Sequence, residues 1–195
     1  MIRLLIATRN THKTREFSEI LGEGFEVRDS SNEFEIPVAE ETGATFAQNA
    51  ILKAAATSKH FEDFVVGDDS GLEVDALEGA PGIYSARYAG EGASDEENIA
   101  KLLGELAKHP KRDSYSARFR CVLALARQGR ILGTFEGAVE GVIVAPARGT
   151  DGFGYDPVFQ PAGLTQTFAE LPAGQKNEIS HRGEAIRALR TALLA

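Results

Sequence analysis

The sequence predicts a mixed α/β fold in which helices flank an elongated sheet and two lobes surround a central cleft. Strand-like and helix-like segments interleave along the chain, which is typical of this class. Two long strand-like segments, 117–126 and 131–144, flank a Gln128-Gly129 turn and predict an antiparallel hairpin. The sheet is therefore not expected to be purely parallel. A length of 195 residues suits one domain spanning 1–195, built from two closely packed lobes.

In the first half of the chain, apolar runs predict three strands, at residues 2–7, 25–28 and 64–67. A polar turn at 8–12 follows the first strand, and Phe17, Ile20 and Leu21 behind it have helical spacing. Thr45 and Gln48 have the spacing of a capping box, which predicts an alanine-rich helix reaching to about residue 60.

In the second half, Ser94 and Glu97 form another capping-box pattern ahead of a helical apolar stripe that runs from Ile99 to Leu106. Beyond the hairpin, a glycine-rich loop at 149–154 precedes a short strand near 158–160. The last helix is expected to begin near Ser180 and to bury Ile186, Leu189 and Leu193.

Composition excludes several classes of protein. A net charge of −8 argues against a duplex nucleic-acid binder, but a nucleotide substrate needs only a few local cations or a bound metal. The chain shows neither a signal-peptide pattern nor an apolar run of bilayer-spanning length, so a cytoplasmic protein without a membrane partner is expected. Cys121, the single cysteine, lies in an apolar run, where a buried hydrophobe is favoured over a nucleophile.

The first candidate site is the turn between the first strand and the first helix. Backbone N–H groups and the positive helix end favour phosphate there, and the turn adds polar and cationic side chains. The candidate residues are Thr8, Arg9, Asn10, Thr11, His12 and Lys13. The alternative is an ordinary polar turn with a solvated lysine. The glycine spacing of a Walker loop is missing.

The second candidate site is acidic, with Glu40-Glu41 before a helix and Asp68-Asp69 at the end of a buried strand. Because adjacent strand residues point to opposite sides, only one of the two aspartates is expected to face a site. Carboxylates without convergent His or Cys suit Mg²⁺. For Asp68 we favour a structural role, capping a turn at Ser70-Gly71, and for Asp69 a chemical one.

Two further segments carry candidate binding residues. Phe153-Gly154-Tyr155-Asp156 follows Gly152, and the glycines let the backbone approach a ligand while Phe153 stacks on a base. A glycine-punctuated hairpin corner is the alternative for this segment. In the segment Lys176–Arg182, His181 and Arg182 occupy the first turn of the last helix. Cations oppose the helix dipole at that position, which indicates an anionic or carbonyl-bearing ligand.

Six motifs occur together and in order along the chain. They are Thr8-x-Asn10-x-x-Lys13, Glu41-Thr-Gly43-x-Thr-Phe46 with Asn49-Ala50, Asp68-Asp69-Ser-Gly-Leu72, Gly79-x-Pro-Gly82 with Ser85-Ala-Arg87, Phe153-Gly-Tyr-Asp156 and Ser180-His-Arg182. As a set, running from residue 2 to about 193, they resemble the inosine triphosphate pyrophosphatase family, enzymes that remove deaminated purine triphosphates from nucleotide pools.

The resemblance implies a two-lobed mixed α/β fold, a homodimer and Mg²⁺ dependence. By position, residues 8–13 and Lys53 match phosphate contacts, and Ser70 matches another substrate contact. Glu41 and Asp69 match the carboxylates near the metal, and Asp69 also matches the proposed proton acceptor. The residues that match the pocket for base and sugar are Phe153, Gly154, Tyr155, Asp156, Lys176, His181 and Arg182. Many relatives carry Gly where this chain has Arg9, which is either tolerated or an additional phosphate contact.

The expected reaction is hydrolysis of ITP, dITP or XTP to the monophosphate and pyrophosphate. Asp69 is expected either to deprotonate the attacking water or to hold the metal. Donors from Arg182, His181 or backbone N–H groups would favour a 6-carbonyl over the amino group of adenine. The alternatives are a pyrophosphatase for pyrimidine or methylated nucleotides, a non-catalytic nucleotide-binding regulator, and a purely structural protein.

Overall fold

The computed structural model describes residues 1–32, 39–110 and 114–195. Six strands form one mixed sheet in the order β2-β1-β3-β4-β5-β6. Strand β1 pairs in parallel with β2 and β3, and β5 pairs with β6 in antiparallel fashion. The strands are β1 (Ile2–Ile6), β2 (Phe25–Asp29), β3 (Phe64–Val74), β4 (Tyr115–Arg127), β5 (Arg130–Ile143) and β6 (Phe159–Pro161). The predicted mixed α/β fold is confirmed.

Five α-helices accompany the sheet in the described part of the chain. They are α1 (Thr11–Leu21), α2 (Phe46–Ser58), α3 (Asp95–Leu106), α4 (Ala173–Ile179) and α5 (His181–Leu194). Both predicted caps form, since Gln48 N donates to Thr45 Oγ1 and the Ser94–Glu97 capping box is complete. The Gln128-Gly129 turn of the hairpin is confirmed, and both of its residues have positive φ angles.

Two sequence predictions about the elements are wrong. Strand β3 does not stop at Gly67 but runs on through Asp68-Asp69 to Val74, so Ser70 and Gly71 lie in the strand and do not form a turn. The strand accommodates both aspartates because cationic side chains pair with them inside the protein. Residues 173–179, for which no helix was predicted, form α4.

The chain divides into two compact units. The first comprises Met1–Asp69, Cys121–Gly137 and His181–Ala195, and the second comprises Ser70–Arg120 and Ala138–Ser180. The predicted arrangement of two lobes around a cleft, within one domain, stays a prediction. Within the described residues, none of the helices combines the length and the apolar character needed to cross a membrane.

Two helices of the first unit pack on its strands through glycines. A Cβ at Gly67 of β3 would overlap the carbonyl oxygen of Ala50, so the backbone of α2 lies directly on the strand. At Gly137 of β5 a Cβ would likewise overlap the carbonyl oxygen of His181, at the beginning of α5. These close approaches fix where the first turns of α2 and α5 lie.

A hydrophobic cluster of the first unit joins α1 and α5 to strands β1, β3 and β4. Its strand residues alternate along each strand, as in Leu4 and Ile6, so they point to one side of the sheet. Val66 of β3 belongs to this cluster, and Asp68, two residues further on, points to the same side. Asp69 therefore points to the opposite side, as Gly67 does.

Candidate active site

The turn after β1 is shaped by a helix cap. Asn10 is the N-cap of α1, and its Oδ1 accepts from the backbone N–H groups of His12, at 3.0 Å, and Lys13, at 3.4 Å. Thr8 Oγ1 accepts from Asn10 N at 3.1 Å. The predicted polar turn is therefore shorter than residues 8–12, because the helix already begins at Thr11. Arg9, Thr11 and His12 are exposed.

Lys13 and Asp68 form an ion pair in the first unit. Lys13 Nζ lies 2.6 Å from Asp68 Oδ1, and the carboxylate is fully enclosed, with 1% of its residue exposed. Asp68 Oδ2 accepts from Arg182 Nε at 2.8 Å. Burial alone would raise the pKa of Asp68, but Arg182 and Lys13 outweigh it and hold the pKa well below its usual value. The structural role expected of Asp68 is therefore filled by ion pairing, not by capping a turn.

Arg182 lies inside the protein, with 2% of its surface exposed. Its Nη1 lies 2.7 Å from Glu16 Oε2 and its Nε contacts Asp68. Burial would lower the pKa of Arg182, but Asp68 and Glu16 outweigh it and raise the pKa. The predicted conflict between this cation and the helix dipole is thus relieved by two carboxylates of the protein itself, while contacts of His181 and Arg182 with a base stay predictions.

On the other side of β3, Asp69 belongs to a second charged group. Lys53 Nζ of α2 lies 2.7 Å from Asp69 Oδ1 and 3.0 Å from Glu41 Oε1, so one ammonium bridges two carboxylates. Burial would lower the pKa of Lys53, but both carboxylates outweigh it and raise the pKa. Burial, together with the charge of Glu41, raises the pKa of Asp69 in spite of Lys53. Lys53 therefore carries its charge at neutral pH.

The acidic pair offers oxygen ligands for a hard cation. Among residues 1–32, 39–110 and 114–195, no group of three or more His, Cys, Asp or Glu side chains is placed to hold a metal ion. Mg²⁺, however, commonly uses one or two carboxylates and completes its shell with water and substrate phosphates. Glu41 and Asp69 already converge on a shared cation, the Lys53 ammonium, and contribute oxygen atoms alone. These two residues therefore fit such an ion.

In the second unit, Asp156 organises the segment 153–156. Its Oδ2 accepts from Phe153 N at 2.9 Å and from Lys176 Nζ at 2.7 Å. The Lys176 ammonium also lies 4.9 Å from the centre of the Phe153 ring. Asp156 and Lys176 are both buried, so this ion pair holds the aromatic ring and the backbone of the segment in place.

The other candidate residues of the second unit lie nearby in the chain. Tyr155 is 3% exposed, and its hydroxyl donates to the carbonyl oxygen of Ser85 at 2.8 Å, which makes it an anchor within the protein. Gly154 N donates to Asp95 Oδ2 at 2.6 Å, at the beginning of α3. Ser70 lies in β3. The substrate contacts assigned to these residues stay predictions.

Sequence reasoning assigned no role to two residues that contact this machinery, although Asn49 belongs to one of the ordered motifs. Glu16, one helical turn beyond Lys13, holds Arg182. Asn49, one turn before Lys53, donates from Nδ2 to Asp69 Oδ2 at 3.3 Å. In both cases the helical spacing to a predicted site lysine was a visible signal, because residues three or four apart share a helix face.

The chain is similar to known proteins over nearly its whole length. The dITP/XTP pyrophosphatase of Bacillus licheniformis is 50% identical over 190 residues, covering 97% of this chain and 96% of its own. The dITP/XTP pyrophosphatase of Bacillus subtilis is 47% identical over 190 residues, covering 97% and 96%.

Solved structures share the fold. A HAM1 protein from Coxiella burnetii superposes with a TM-score of 0.88 at 41% identity, covering 100% of this chain and 99% of its own. For the Staphylococcus aureus Ham1 protein the TM-score is 0.84 at 43% identity, with coverages of 98% and 97%. The family resemblance of the ordered motifs is confirmed. The sequence model of the Ham1 family matches residues 4–192, and the chain belongs to that family.

Proposed function

We propose that this protein hydrolyses deaminated purine nucleoside triphosphates, namely dITP, ITP and XTP, to the monophosphate and pyrophosphate. The observation that carries the proposal is the bridging of Glu41 and Asp69 by Lys53 in the first unit. Family membership and relatives named dITP/XTP pyrophosphatase support the same activity.

The charged groups of the first unit suit a triphosphate tail. Lys13 and Lys53 each retain limited solvent access, with 16% and 12% of their side chains exposed, and each is held by a carboxylate. A lysine held in this way loses little further side-chain entropy when a phosphate arrives. Mg²⁺ held by Glu41 and Asp69 together with substrate phosphates would neutralise part of the remaining charge. Catalysis is then mainly positioning and electrostatic stabilisation.

Asp69 acts on the attacking water. The water oxygen forms a bond to the α-phosphorus, the bond from that phosphorus to the α,β-bridging oxygen breaks, and pyrophosphate leaves. The water proton passes to a carboxylate oxygen of Asp69. Lys53 and Asn49, each on one oxygen of this carboxylate, keep it from rotating.

The decisive assay is pyrophosphate release from dITP, XTP, GTP, ATP, UTP and a methylated nucleotide, with Mg²⁺ and with excess chelator. We expect rapid turnover of dITP and XTP, slow turnover of the other nucleotides, and loss of all turnover with chelator. Turnover of ATP as fast as dITP would refute the substrate class. Binding of nucleotides without product would support a regulator instead.

The role of Asp69 is tested with Asp69→Asn, a substitution that keeps the shape of the side chain. We expect a loss of about 10²- to 10⁴-fold in kcat, the range that a positioned base contributes. Circular dichroism and thermal unfolding should show a folded protein, and full activity of this variant would remove Asp69 from the mechanism.

The resemblance further supports a homodimer that acts on the cytoplasmic nucleotide pool. Multi-angle light scattering of the purified protein tests the first of these proposals. A mass of about 42 kDa, twice the 20.9 kDa of the chain, is expected. A mass of one chain at all concentrations would overturn the dimer without affecting the proposed reaction.

A further inference from the structure

Asn49, on the first turns of α2, is completely buried and contacts both Asp69 and the segment that follows Glu41. Its Oδ1 accepts from the backbone N–H of Gly43 at 2.8 Å, and its Nδ2 donates to Asp69 Oδ2 at 3.3 Å. Gly43 lies two residues beyond Glu41 in the chain. The carboxamide therefore links the segment that carries Glu41 to the carboxylate of Asp69.

The chemistry of these two neighbours selects an amide. Gly43 presents a donor and Asp69 presents an acceptor, so the side chain between them must accept on one side and donate on the other. A carboxylate would place a second negative oxygen against Asp69, and an aliphatic side chain would leave the partly buried Gly43 N–H without this acceptor. Among side chains of this size, asparagine satisfies both neighbours.

The same contact requires glycine at position 43. A Cβ at this position would lie 2.7 Å from Asn49 Oδ1 and 2.7 Å from Gln48 Cβ, too close for either atom to stay in place. The next residue is tied to α2 as well, because Ala44 N donates to Gln48 Oε1 at 2.7 Å. Two successive backbone N–H groups of the segment are thus fixed to two successive side chains of α2.

Asp69 is held from the same helix face. Asn49 and Lys53 are four residues apart on α2 and contact different oxygens of the Asp69 carboxylate, Oδ2 and Oδ1 respectively. A carboxylate held at one oxygen alone turns freely about its broad terminal torsion. With both oxygens engaged, the plane of the Asp69 carboxylate is set by α2.

We propose that Asn49 is a positioning residue, which fixes the Asp69 carboxylate and the Glu41 segment relative to each other for the reaction. The inference rests on the proposed function. Because Asn49 is completely buried behind Asp69, its loss lowers the rate of the chemical step more than it weakens nucleotide binding.

The test uses Asn49→Asp and Asn49→Leu in the full-length protein. The aspartate variant has nearly the same shape and keeps an acceptor for Gly43 N, but it replaces the donor to Asp69 with a negatively charged oxygen. The leucine variant loses both contacts. Two quantities are measured, the kcat for dITP and the affinity for an ITP analogue whose α,β-bridging oxygen is replaced by methylene, the latter by calorimetry with Mg²⁺.

For both variants we expect kcat to fall about 10- to 100-fold, because a small misplacement of a reacting group slows the reaction by such a factor. The dissociation constant of the analogue should stay within about threefold of the wild-type value. The matched control is Asn98→Leu. Asn98 is a buried asparagine of the second unit that likewise bridges two groups, accepting from Ala89 N at 2.7 Å and donating to Ala86 O at 3.3 Å. The Asn98→Leu variant should lose thermal stability but retain the wild-type kcat.

Three results would overturn the inference. The first is an Asn49→Asp variant with wild-type kcat, since the donor to Asp69 would then be irrelevant. The second is an equal loss of kcat in Asn98→Leu, which would reduce the role of Asn49 to general folding. The third is a loss of analogue affinity as large as the loss of kcat. Failure of the wild-type protein to turn over dITP would instead refute the proposed function.

Discussion

Lys53 on α2 and Asp69 on β3 form an ion pair of 2.7 Å, and the same ammonium also contacts Glu41. Without a cation between them, the two carboxylates would repel each other in a largely buried environment. The lysine therefore allows the protein to assemble an acidic pair before any ligand arrives. It also makes Lys53 the residue on which the geometry of the pair depends.

Replacing Lys53 by Met should remove this support while keeping a chain of similar length. We expect kcat/KM for dITP to fall about 10²- to 10³-fold, the usual cost of removing one preorganised charge from an active site. Because the pKa of Lys53 is raised, the wild-type residue is charged throughout the neutral range, and the loss should be equal at pH 7 and pH 9.

Lys108→Met is the matched control for that variant. Lys108 pairs with Glu105 at 2.7 Å, but 67% of the Lys108 side chain is exposed. Exposed ion pairs contribute little, so activity and stability should match the wild type. Comparable activity of Lys53→Met and Lys108→Met would show that the bridge between Glu41 and Asp69 is dispensable.

Gly67→Ala tests the close approach of α2 to β3. The added Cβ would overlap the backbone of Ala50 and displace the helix that carries Lys53 away from Asp69. Overpacking of this kind costs about 1–3 kcal/mol, and a shift of the helix should also lower kcat. Thermal unfolding and steady-state kinetics measure the two effects.

The matched control is Gly104→Ala, an exposed position of α3 where nothing lies within 4 Å of the added methyl. Here alanine should stabilise the helix by up to about 1 kcal/mol and leave kcat unchanged. If Gly67→Ala were likewise stabilised and kept its kcat, this result would contradict the direct packing of α2 on β3.

The sequence predicted most elements because their signals are local. Helical spacing, helix N-caps and the Gln128-Gly129 turn each act over a few residues, and these features form as expected. The alternation of side chains along a strand likewise separated Asp68 from Asp69, and the two carboxylates do pair with different cations.

The mistakes come from long-range compensation. Asp68 and Asp69 looked like the end of a strand because buried carboxylates are unfavourable alone, and the partners of Asp68 lie 55 and 114 residues away in sequence. The carboxylates that neutralise Arg182, Asp68 and Glu16, are likewise far away in sequence, while its contact with a ligand stays a prediction. Helix α4 was missed because seven residues are too few to show a clear periodicity.

Asp68→Asn should reveal the linkage between this buried carboxylate and stability. The folded-state pKa of Asp68 is lowered, so above the unfolded-state pKa of about 3.9 the carboxylate makes its full contribution to the free energy of unfolding. That contribution is lost as the pH falls from there through the folded-state pKa. At pH 7 the variant leaves Arg182 and Lys13 without this charge and should lose about 3–5 kcal/mol.

Denaturant unfolding of wild type and Asp68→Asn from pH 7 down to pH 3 measures this difference. The difference in the free energy of unfolding between the two proteins should be constant above about pH 5 and shrink below pH 4. Asp151→Asn, at an exposed position, should follow the wild type at every pH. A gap that widened as the pH fell would contradict the direction assigned to the pKa of Asp68.

Tyr155→Phe distinguishes an anchor from a substrate contact. The Tyr155 hydroxyl donates to the carbonyl oxygen of Ser85 at 2.8 Å, and burial raises its pKa, with further contributions from Tyr88 and Asp95. Removing one buried hydrogen bond costs about 1 kcal/mol, so the variant should melt several degrees lower. Because the hydroxyl is engaged by Ser85, KM for dITP and for XTP should change by the same small factor. Tyr84→Phe, with its ring 56% exposed, should leave both melting temperature and KM unchanged. A large rise in KM for one base alone, with no loss of stability in Tyr155→Phe, would place this hydroxyl on the substrate instead.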